Sequence, residues 1–218
     1  MLLVFDFDGT LMDTLHDLAE SASDLAEAYG GRRLDDTAVA WMIGDGAPIL
    51  VQRVLASAGV EAPQPEALAR FLAIYDRHVL DHTALYPGVL DMLRALAPLH
   101  DLALLTNKPE ASTRTLMAHA GIAGFFSDCV YGDSTPPRTP DPAGLRWLMA
   151  RRCADVARTM MIGDSQTDLD VARAAGVRLC LARYGFGFMK VSPARIEPGD
   201  LVIDHPAELT AALEAVQP

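Results

Sequence analysis

The chain has 218 residues, of which 50% are apolar and 22% are charged, so it can form one sizeable core or a core with a small inserted domain. Its 29 acidic residues outnumber its 18 basic residues and give a net charge of -11. Because the chain contains no basic run, we do not expect nucleic acid as a partner. No apolar stretch is long enough to span a bilayer, so we do not expect a membrane protein.

Cysteine usage and the first residues bear on the compartment. The three cysteines are scattered and form no C-x-x-C pair, which favours a reducing environment. The apolar run near the start has no basic segment before it and soon meets an acidic residue, so we expect no signal peptide. We therefore predict a cytoplasmic protein, either a monomer or a homodimer.

The first predicted element is a short buried strand, Leu2–Phe5, whose apolar run stops at an acidic turn. Residues two apart in an extended chain point the same way, so Asp6 and Asp8 lie on one face beyond this strand. Gly9 then allows a sharp exit that a residue with a Cβ atom would resist. Two carboxylates at a buried strand end repel each other and lose solvation, and a cation between them would remove that cost.

The segment after this strand predicts four helices and no convincing strand. The helices are expected over residues 13–29, 34–42, 47–58 and 65–82. A strand-free segment of this length, directly after a first strand, indicates a helical insertion rather than a regular βα repeat.

Strands and helices alternate from Tyr86 onward. The predicted strands cover residues 102–106, 129–131, 159–162, 178–182 and 201–203. The predicted helices cover residues 89–99, 109–120, 168–175 and 206–216, with one more opening near Asp141. This alternation predicts an α/β fold with a Rossmann-like parallel sheet, in which ligands bind beyond the carboxyl ends of the strands.

Two further groups of polar residues come directly after predicted strands. Thr106 and Asn107 lie at the start of a helix, where free backbone N–H groups favour an anion. Asp164 follows the strand at 159–162, and Asp168 lies one helical turn further on the same face. Each group taken alone has a plain alternative, since Thr and Asp at strand ends are commonly helix caps.

Three motifs in the chain resemble those of a known family. DFDGTL at residues 6–11, LLTN at 104–107 and GDSQTD at 163–168 resemble the first, second and fourth motifs of the haloacid dehalogenase superfamily of aspartate-nucleophile phosphohydrolases. The phosphoglycolate phosphatase subgroup is the most similar, through YPGV at 86–89, LTNKP at 105–109 and PDP at 140–142. The resemblance implies a haloacid dehalogenase-like core, residues 1–13 and 86–218, with an inserted all-helical cap, residues 14–85.

The resemblance also implies a mechanism, Mg²⁺-dependent phosphoryl transfer through an aspartyl phosphate. The ion would be held by the side chains of Asp6 and Asp164 and the backbone carbonyl of Asp8, with Asp168 orienting Asp164, a water or a cation. Asp6 would attack phosphorus, and Asp8 would protonate the leaving group and then activate water. Because a departing halide needs no proton, Asp8 favours a phosphatase over a dehalogenase. The implied phosphate contacts are Gly9, Thr106 and Asn107.

The third motif departs from the family pattern. Relatives carry a lysine before a proline at the start of the helix after strand three, whereas this chain has Thr139 in the run PRTPDP at residues 137–142. A threonine can hydrogen-bond a phosphate but cannot neutralise it, and losing one such contact typically costs about 3–4 kcal/mol in the barrier. Arg138 and Lys108 are the candidate substitutes. The third possibility is weakened or lost catalysis.

The cap would select the substrate. Gly44, Asp45 and Gly46, with Arg53 on the next helix, sit where relatives place substrate-contacting residues, although a plain interhelical turn explains these glycines equally well. A small cap that closes over the site predicts a small phosphorylated metabolite, similar to phosphoglycolate. The alternatives are a phosphomutase, which would need cap cations for a second phosphate, and a phosphate- or metal-binding protein that has lost turnover.

Overall fold

The computed structural model describes residues 1–215, which form a six-stranded sheet, a two-stranded ribbon and nine α-helices. The strands are β1 Leu2–Phe5, β2 Met12–Asp13, β3 Ala84–Leu85, β4 Asp101–Leu105, β5 Asp128–Val130, β6 Thr159–Gly163, β7 Arg178–Ala182 and β8 Leu201–Ile203. The helices are α1 Leu15–Ala28, α2 Asp36–Ala40, α3 Ala47–Ala58, α4 Gln64–His78, α5 Val89–Leu96, α6 Glu110–His119, α7 Ala143–Arg151, α8 Gln166–Ala175 and α9 Glu208–Ala215. Val216, the predicted end of the last helix, lies outside the described residues.

The main sheet is parallel and has the strand order β5-β4-β1-β6-β7-β8. The prediction of a Rossmann-like parallel sheet is confirmed. Strand β1 is central, with β4 on one side and β6 on the other. The residues that follow these three strands therefore meet at one edge of the sheet, because the carboxyl ends of parallel strands point the same way.

Both faces of the sheet are covered, as the alternation along β1 requires. Leu3 and Phe5 pack on one face in a cluster that includes residues of α5 and α9. Leu2 and Val4 point to the other face and pack with residues of α7 and α8. Each such side chain contributes about 1.5–3 kcal/mol when it is fully buried, so β1 is firmly fixed and its carboxyl end is a rigid platform.

The helices α1 to α4 leave and rejoin this core through the ribbon of β2 and β3. Met12 pairs with Leu85 and Asp13 with Ala84, in antiparallel register. The expectation that residues 14–85 hold no strand is therefore wrong at its last two residues. The first predicted helix likewise begins at Leu15 rather than at residue 13. The reason is long-range pairing, since two residues gain strand geometry only from a partner segment far along the chain.

Several predicted helices are shorter in the structure. The helix predicted to end at residue 82 ends at His78, because the backbone N–H groups of His82 and Thr83 turn back and donate to the buried carboxylate of Asp17 at 2.8–3.0 Å. The helices predicted over 34–42 and 89–99 cover 36–40 and 89–96. None of the helices within residues 1–215 is long and apolar enough to cross a membrane.

Candidate active site

The turn after β1 carries the two acids predicted from the sequence. Asp6 extends the pairing of β1 with β6, since its N–H donates to the carbonyl of Ile162 at 2.8 Å. The Asp8 carboxylate accepts a hydrogen bond of 2.7 Å from the hydroxyl of Thr14, the residue that precedes α1. Gly9 has a φ of +89°, and a Cβ atom there would lie 2.1 Å from Asp164 Oδ2. Glycine is thus required at this position for two separate reasons.

The turn after β6 brings in Asp164 and Asp168. Asp168 Oδ2 accepts hydrogen bonds from the backbone N–H of Asp164 at 3.1 Å and from the backbone and hydroxyl of Ser165 at 2.9 and 2.7 Å. With Ser165 as N-cap, this arrangement is a capping box that starts α8. Asp164 Oδ2 accepts a 2.6 Å hydrogen bond from Gly187 N–H. Asp168 therefore fixes the loop from which Asp164 projects.

Asp6, Asp164 and Asp168 form an acidic cluster in which one carboxylate oxygen of each lies within 4.8 Å of the others. Burial raises the pKa of Asp164 well above its usual value, and the negative charge of Asp168 adds to the effect. Burial raises the pKa of Asp6 well above its usual value too, with further contributions from Asp168, Asp164 and Asp8. Asp164 and Asp168 are buried and Asp6 is half-buried. Three oxygen donors that repel one another in this setting are a site that fits a hard divalent cation.

This cluster makes a testable prediction about stability. Carboxyls of an unfolded chain titrate near pH 4, whereas Asp6, Asp164 and Asp168 have raised pKa values in the folded, metal-free protein. The metal-free protein therefore loses stability as the pH rises from about 4 through these raised pKa values. Asp164→Asn removes one charge, and at pH 7 we expect the metal-free Tm to rise by about 2–4 °C, the shift that 1 kcal/mol gives in a domain of this size.

Thermal unfolding at pH 4 and pH 7, with and without Mg²⁺, tests this prediction. The gain from Asp164→Asn should disappear near pH 4, and Mg²⁺ should raise the Tm of the unaltered chain much more than that of the variant. The matched control is Asp91→Asn, at an aspartate whose side chain is 85% exposed. A variant that is less stable than the unaltered metal-free chain at pH 7 would contradict the repulsion argument.

The turn after β4 places Thr106, Asn107 and Lys108 in the same cavity. Both amide hydrogens of Asn107 are in use, donated to the carbonyls of Gly44 at 2.8 Å and Thr139 at 3.1 Å. Its Oδ1 atom accepts from the N–H of Thr139 at 3.0 Å. The Asn107 side chain thus ties the helical block to the core and to the third-motif loop. Its role as a phosphate ligand stays a prediction, without a free side-chain hydrogen to support it.

The two candidate substitutes for the third-motif lysine differ in whether they line the cavity. Thr139 is buried and lines the cavity, whereas Arg138 does not line it and donates from Nε to the carbonyl of Gly132 at 2.7 Å. Lys108 lines the cavity with a side chain that is only 2% exposed, and its Nζ atom lies 3.0 Å from Asp8 Oδ1. Of the two substitutes predicted from the sequence, the structure brings Lys108 to the site and leaves Arg138 outside it.

Lys190, a half-buried lysine that the sequence analysis missed, also lines the cavity. Its Nζ atom donates to the carbonyl of Ala40 at 3.0 Å and to that of Ile43 in the helical block. Burial lowers the pKa of Lys190, while its positive charge lowers the pKa of Asp164 and Asp168 against the larger effect of their burial. Lys190 lies on the loop after β7, and no sequence pattern distinguished it from a surface lysine.

The cavity lies between the sheet edge and the helical block, and its two sides differ in chemistry. The core side supplies the carboxylates, Thr106 and the two lysines. The side formed by the helical block is apolar except for the Tyr75 hydroxyl and backbone groups. Its side chains are Leu18, Ile43, Ala47, Leu50, Phe71, Leu72 and Tyr75. The cavity volume is about 60 Å³, which suits a small ligand.

The predicted substrate loop lies partly at this cavity. Gly44 and Gly46 line it, but Asp45 and Arg53 do not. Arg53 instead pairs with Asp45 at 2.6 Å and donates to the carbonyl of Met42 at 2.8 Å. Arg53 therefore holds the shape of the loop rather than facing a ligand.

Comparison with known proteins adds an independent observation. The family model described as haloacid dehalogenase-like hydrolase matches residues 3–182. A phosphoglycolate phosphatase of Rhodospirillum rubrum is 38% identical over 192 residues, covering 84% of this chain and 80% of the relative. One from Photobacterium profundum is 34% identical over 214 residues, covering 95% and 93%. A crystal structure described as a predicted phosphoglycolate phosphatase from Haemophilus somnus superposes with a TM-score of 0.91 at 28% identity, covering 97% of both chains.

Proposed function

Because the chain belongs to the haloacid dehalogenase-like hydrolase family and is a phosphatase, we propose that it hydrolyses a small phosphomonoester of the phosphoglycolate type, with Asp6 as the nucleophile and Mg²⁺ as the cofactor. The observation that carries the proposal is the acidic cluster of Asp6, Asp164 and Asp168 at the carboxyl end of the central strand. The names of the relatives support the substrate type.

The first half of the proposed reaction forms an ester on Asp6. A carboxylate oxygen of Asp6 attacks phosphorus, the bond from phosphorus to the ester oxygen breaks, and Asp8 donates a proton to the departing alkoxide. When bound, Mg²⁺ supplies positive charge between the Asp6 carboxylate and the phosphate. The side chains of Asp6 and Asp164 and the backbone carbonyl of Asp8 would hold it, while Asp168 keeps the Asp164 loop in place through its capping box.

The second half returns Asp6 to its starting form. Asp8, now a carboxylate, takes a proton from water, and the water oxygen attacks the phosphorus of the aspartyl phosphate. The bond from phosphorus to the Asp6 oxygen breaks, which frees the Asp6 carboxylate and inorganic phosphate. The hydroxyl of Thr14 and the ammonium of Lys108 hold Asp8 in one orientation for both steps. Gly9 and Thr106 are the proposed phosphate contacts.

The helical block, residues 14–85, is the proposed cap. Three side chains of the core donate hydrogen bonds to it, namely Asn107 to Gly44, Lys108 to Tyr75, and Lys190 to Ala40 and Ile43. These contacts close the cavity above the acids, where excluding water strengthens the electrostatic interactions. The ribbon of β2 and β3 is the proposed hinge.

The apolar cap wall favours a hydrolase over a phosphomutase. A mutase must hold a second phosphate, and the cap arginines Arg53, Arg70 and Arg77 do not line the cavity. Two lysines that line the cavity likewise favour turnover over a protein that has lost catalysis, because Lys108 and Lys190 supply positive charge that Thr139 cannot.

Steady-state hydrolysis of 2-phosphoglycolate, with and without Mg²⁺, tests the proposed function. We expect turnover that requires the ion, and a ranking of small phosphorylated acids, sugars and nucleotides by kcat/KM should place short acids first. Mg²⁺ binding without hydrolysis of any ester would favour the binding protein. Transfer of phosphate between two positions of a sugar would favour the mutase.

The two lysines allow a second prediction about the missing third-motif charge. Lys190→Met should lower kcat by about 10–100-fold, because it removes one half-buried positive charge beside the acidic cluster. Arg138→Ala is the matched control and should leave kcat within about twofold, since the guanidinium binds the carbonyl of Gly132 outside the cavity. If steady-state assays show a larger loss of kcat in Arg138→Ala than in Lys190→Met, Arg138 would be the substitute for the third-motif lysine.

The proposed compartment is the cytoplasm. The three cysteines are free, and Cys180 is buried in the core. Unpaired thiols fit a reducing compartment.

A further inference from the structure

Phe186 is shared by two cavities. It lines the cavity that holds the acidic cluster, and it also lines a surface groove of about 390 Å³ between α2 and the loop after β7. Among the described residues, no other lines both. Phe186 is half-buried, which fits a wall with protein on one side and the open groove on the other.

The surface groove is largely apolar. The two charged residues that line it are already paired, since Arg183 donates two hydrogen bonds to the carboxylate of Asp204 and Asp36 Oδ2 lies 3.0 Å from His16 Nδ1. The remaining lining residues are Leu15, Thr37, Ala40, Gly185, Phe186, Phe188 and Met189. Because Met189 is 49% exposed, the groove is open to solvent. It therefore suits an apolar group better than an anion.

The backbone around Phe186 is held in place from both sides. Gly187 N–H donates to Asp164 Oδ2 at 2.6 Å, and Phe188 N–H donates to the carbonyl of Gly185 at 3.2 Å. The turn has no room to shift toward the acids, because a Cβ atom on Gly187 would lie 2.8 Å from Asp164 Oδ2. The Phe186 side chain packs against the hydrophobic core. Phe186 is therefore a fixed wall rather than a mobile gate.

The position of this wall relative to the acids determines which part of a substrate it meets. In the proposed function, phosphate is transferred beside Asp6 and Asp164, and the ester group extends from there into the rest of the cavity. Phe186 precedes the residue that binds Asp164 and lines the same cavity. With a cavity volume of about 60 Å³, an ester group that fills the cavity meets the Phe186 wall before it can reach the groove.

We propose that Phe186 sets the upper size limit of the ester group by separating the reaction cavity from the surface groove. This inference rests on the proposed function, because it takes the acidic cluster as the place where phosphate is transferred. It concerns size alone and holds whether or not the ester group carries a charge. Without the ring, the cavity and the groove become one space, and the added part of that space is apolar.

A small and a bulky ester give the test. The small ester is 2-phosphoglycolate, and 1-naphthyl phosphate carries a large apolar group. Phe186→Ala should raise kcat/KM for the bulky ester relative to the small one by about 10–100-fold, the range over which an apolar pocket discriminates by size. The intrinsic reactivity of each ester cancels when the variant is compared with the unaltered chain. The change should appear mainly in KM, because the ring excludes the bulky group and does not act on phosphorus.

Two further variants show where the bulky group lies. Met189→Ala is the matched control, since Met189 lines the groove but not the cavity, and it should leave the ratio of the two esters unchanged. Thr37→Trp, at an exposed groove position, should reverse most of the gain when it is combined with Phe186→Ala, because it refills the groove. A gain that persists in the double variant, or one that Met189→Ala also gives, would contradict the wall.

Phe186→Val keeps the inference testable if Phe186→Ala does not fold. It removes less of the side chain and should raise the same ratio by a few-fold, and thermal unfolding shows whether each variant is folded. A folded variant at position 186 that changes both rates by one factor, or neither rate, would overturn the size limit while the phosphatase stands. If the unaltered chain hydrolyses no ester with Mg²⁺, the proposed function fails and the inference fails with it.

Discussion

Asp6→Asn is expected to reduce kcat by about 10⁴–10⁶-fold on every substrate, because the amide that replaces the carboxylate is not a nucleophile toward phosphorus. The side chains have nearly the same shape, so the change tests chemistry rather than packing. Single-turnover and steady-state assays with 2-phosphoglycolate measure the loss.

A second readout shows that the Asp6→Asn variant is folded. The substitution removes one of three clustered charges, and burial with repulsion raises the pKa of Asp6 in the unaltered chain. The metal-free variant should therefore be at least as stable as the unaltered protein at pH 7. A folded Asp6→Asn protein that keeps more than about 1% of the activity would rule out Asp6 as the nucleophile.

Asp8→Asn is expected to lower kcat by about 10²–10⁴-fold, the usual contribution of a positioned acid and base. Two features should distinguish it from Asp6→Asn. The loss should be larger for alkyl phosphates than for an activated ester, because nitrophenolate leaves without a proton. With the activated ester, phosphoenzyme should accumulate, because the base for the second step is missing.

Pre-steady-state kinetics with p-nitrophenyl phosphate check this prediction. We expect a burst of nitrophenolate from Asp8→Asn, followed by slow turnover. Thr14→Val is the graded control, since it removes only the 2.7 Å hydrogen bond to Asp8 Oδ1 and should cost about tenfold. An Asp8→Asn protein that loses equal activity on alkyl and nitrophenyl esters, without a burst, would exclude the acid-and-base role.

The sequence could predict the sheet edge because the information there is local. An apolar run that stops at Asp6 or before Asp164 identifies both a buried strand and the polar group beyond it. Because strands alternate with helices along the chain, the sheet is predicted to be parallel, and the polar groups after three of its strands are predicted to meet at one edge. In the structure β1 lies between β4 and β6, as this interpretation requires.

What the sequence could not predict depends on contacts between distant residues. The partner of Lys108 in the helical block is Tyr75, and Lys190 donates to Ala40 although 150 residues separate them along the chain. The direction of the Arg138 side chain depends on the carbonyl of Gly132 in its own loop. Periodicity and motif spacing describe neighbours along the chain, so they could not separate Lys108 from Arg138, and they identified neither Lys190 nor the apolar wall of the cavity.

The ends of the helices in the helical block also depend on contacts between distant residues. Its four helices follow from apolar spacing, but α4 stops at His78 because His82 and Thr83 donate to Asp17, a residue near the opposite end of the block. Burial raises the pKa of Asp17, yet these hydrogen bonds outweigh burial and leave that pKa below its usual value. A buried acid of this kind looks, in the sequence, like one more polar residue on a helix face.

Chemical trapping of the phosphorylated residue tests the central claim most directly. Asp8→Asn protein, mixed with Mg²⁺ and p-nitrophenyl phosphate and then quenched, can be reduced with borohydride, which converts an aspartyl phosphate to homoserine. Peptide mass spectrometry should find homoserine at position 6 and unmodified aspartate at positions 164 and 168. A modification at any other residue, or turnover with no modified residue at all, would contradict attack by Asp6.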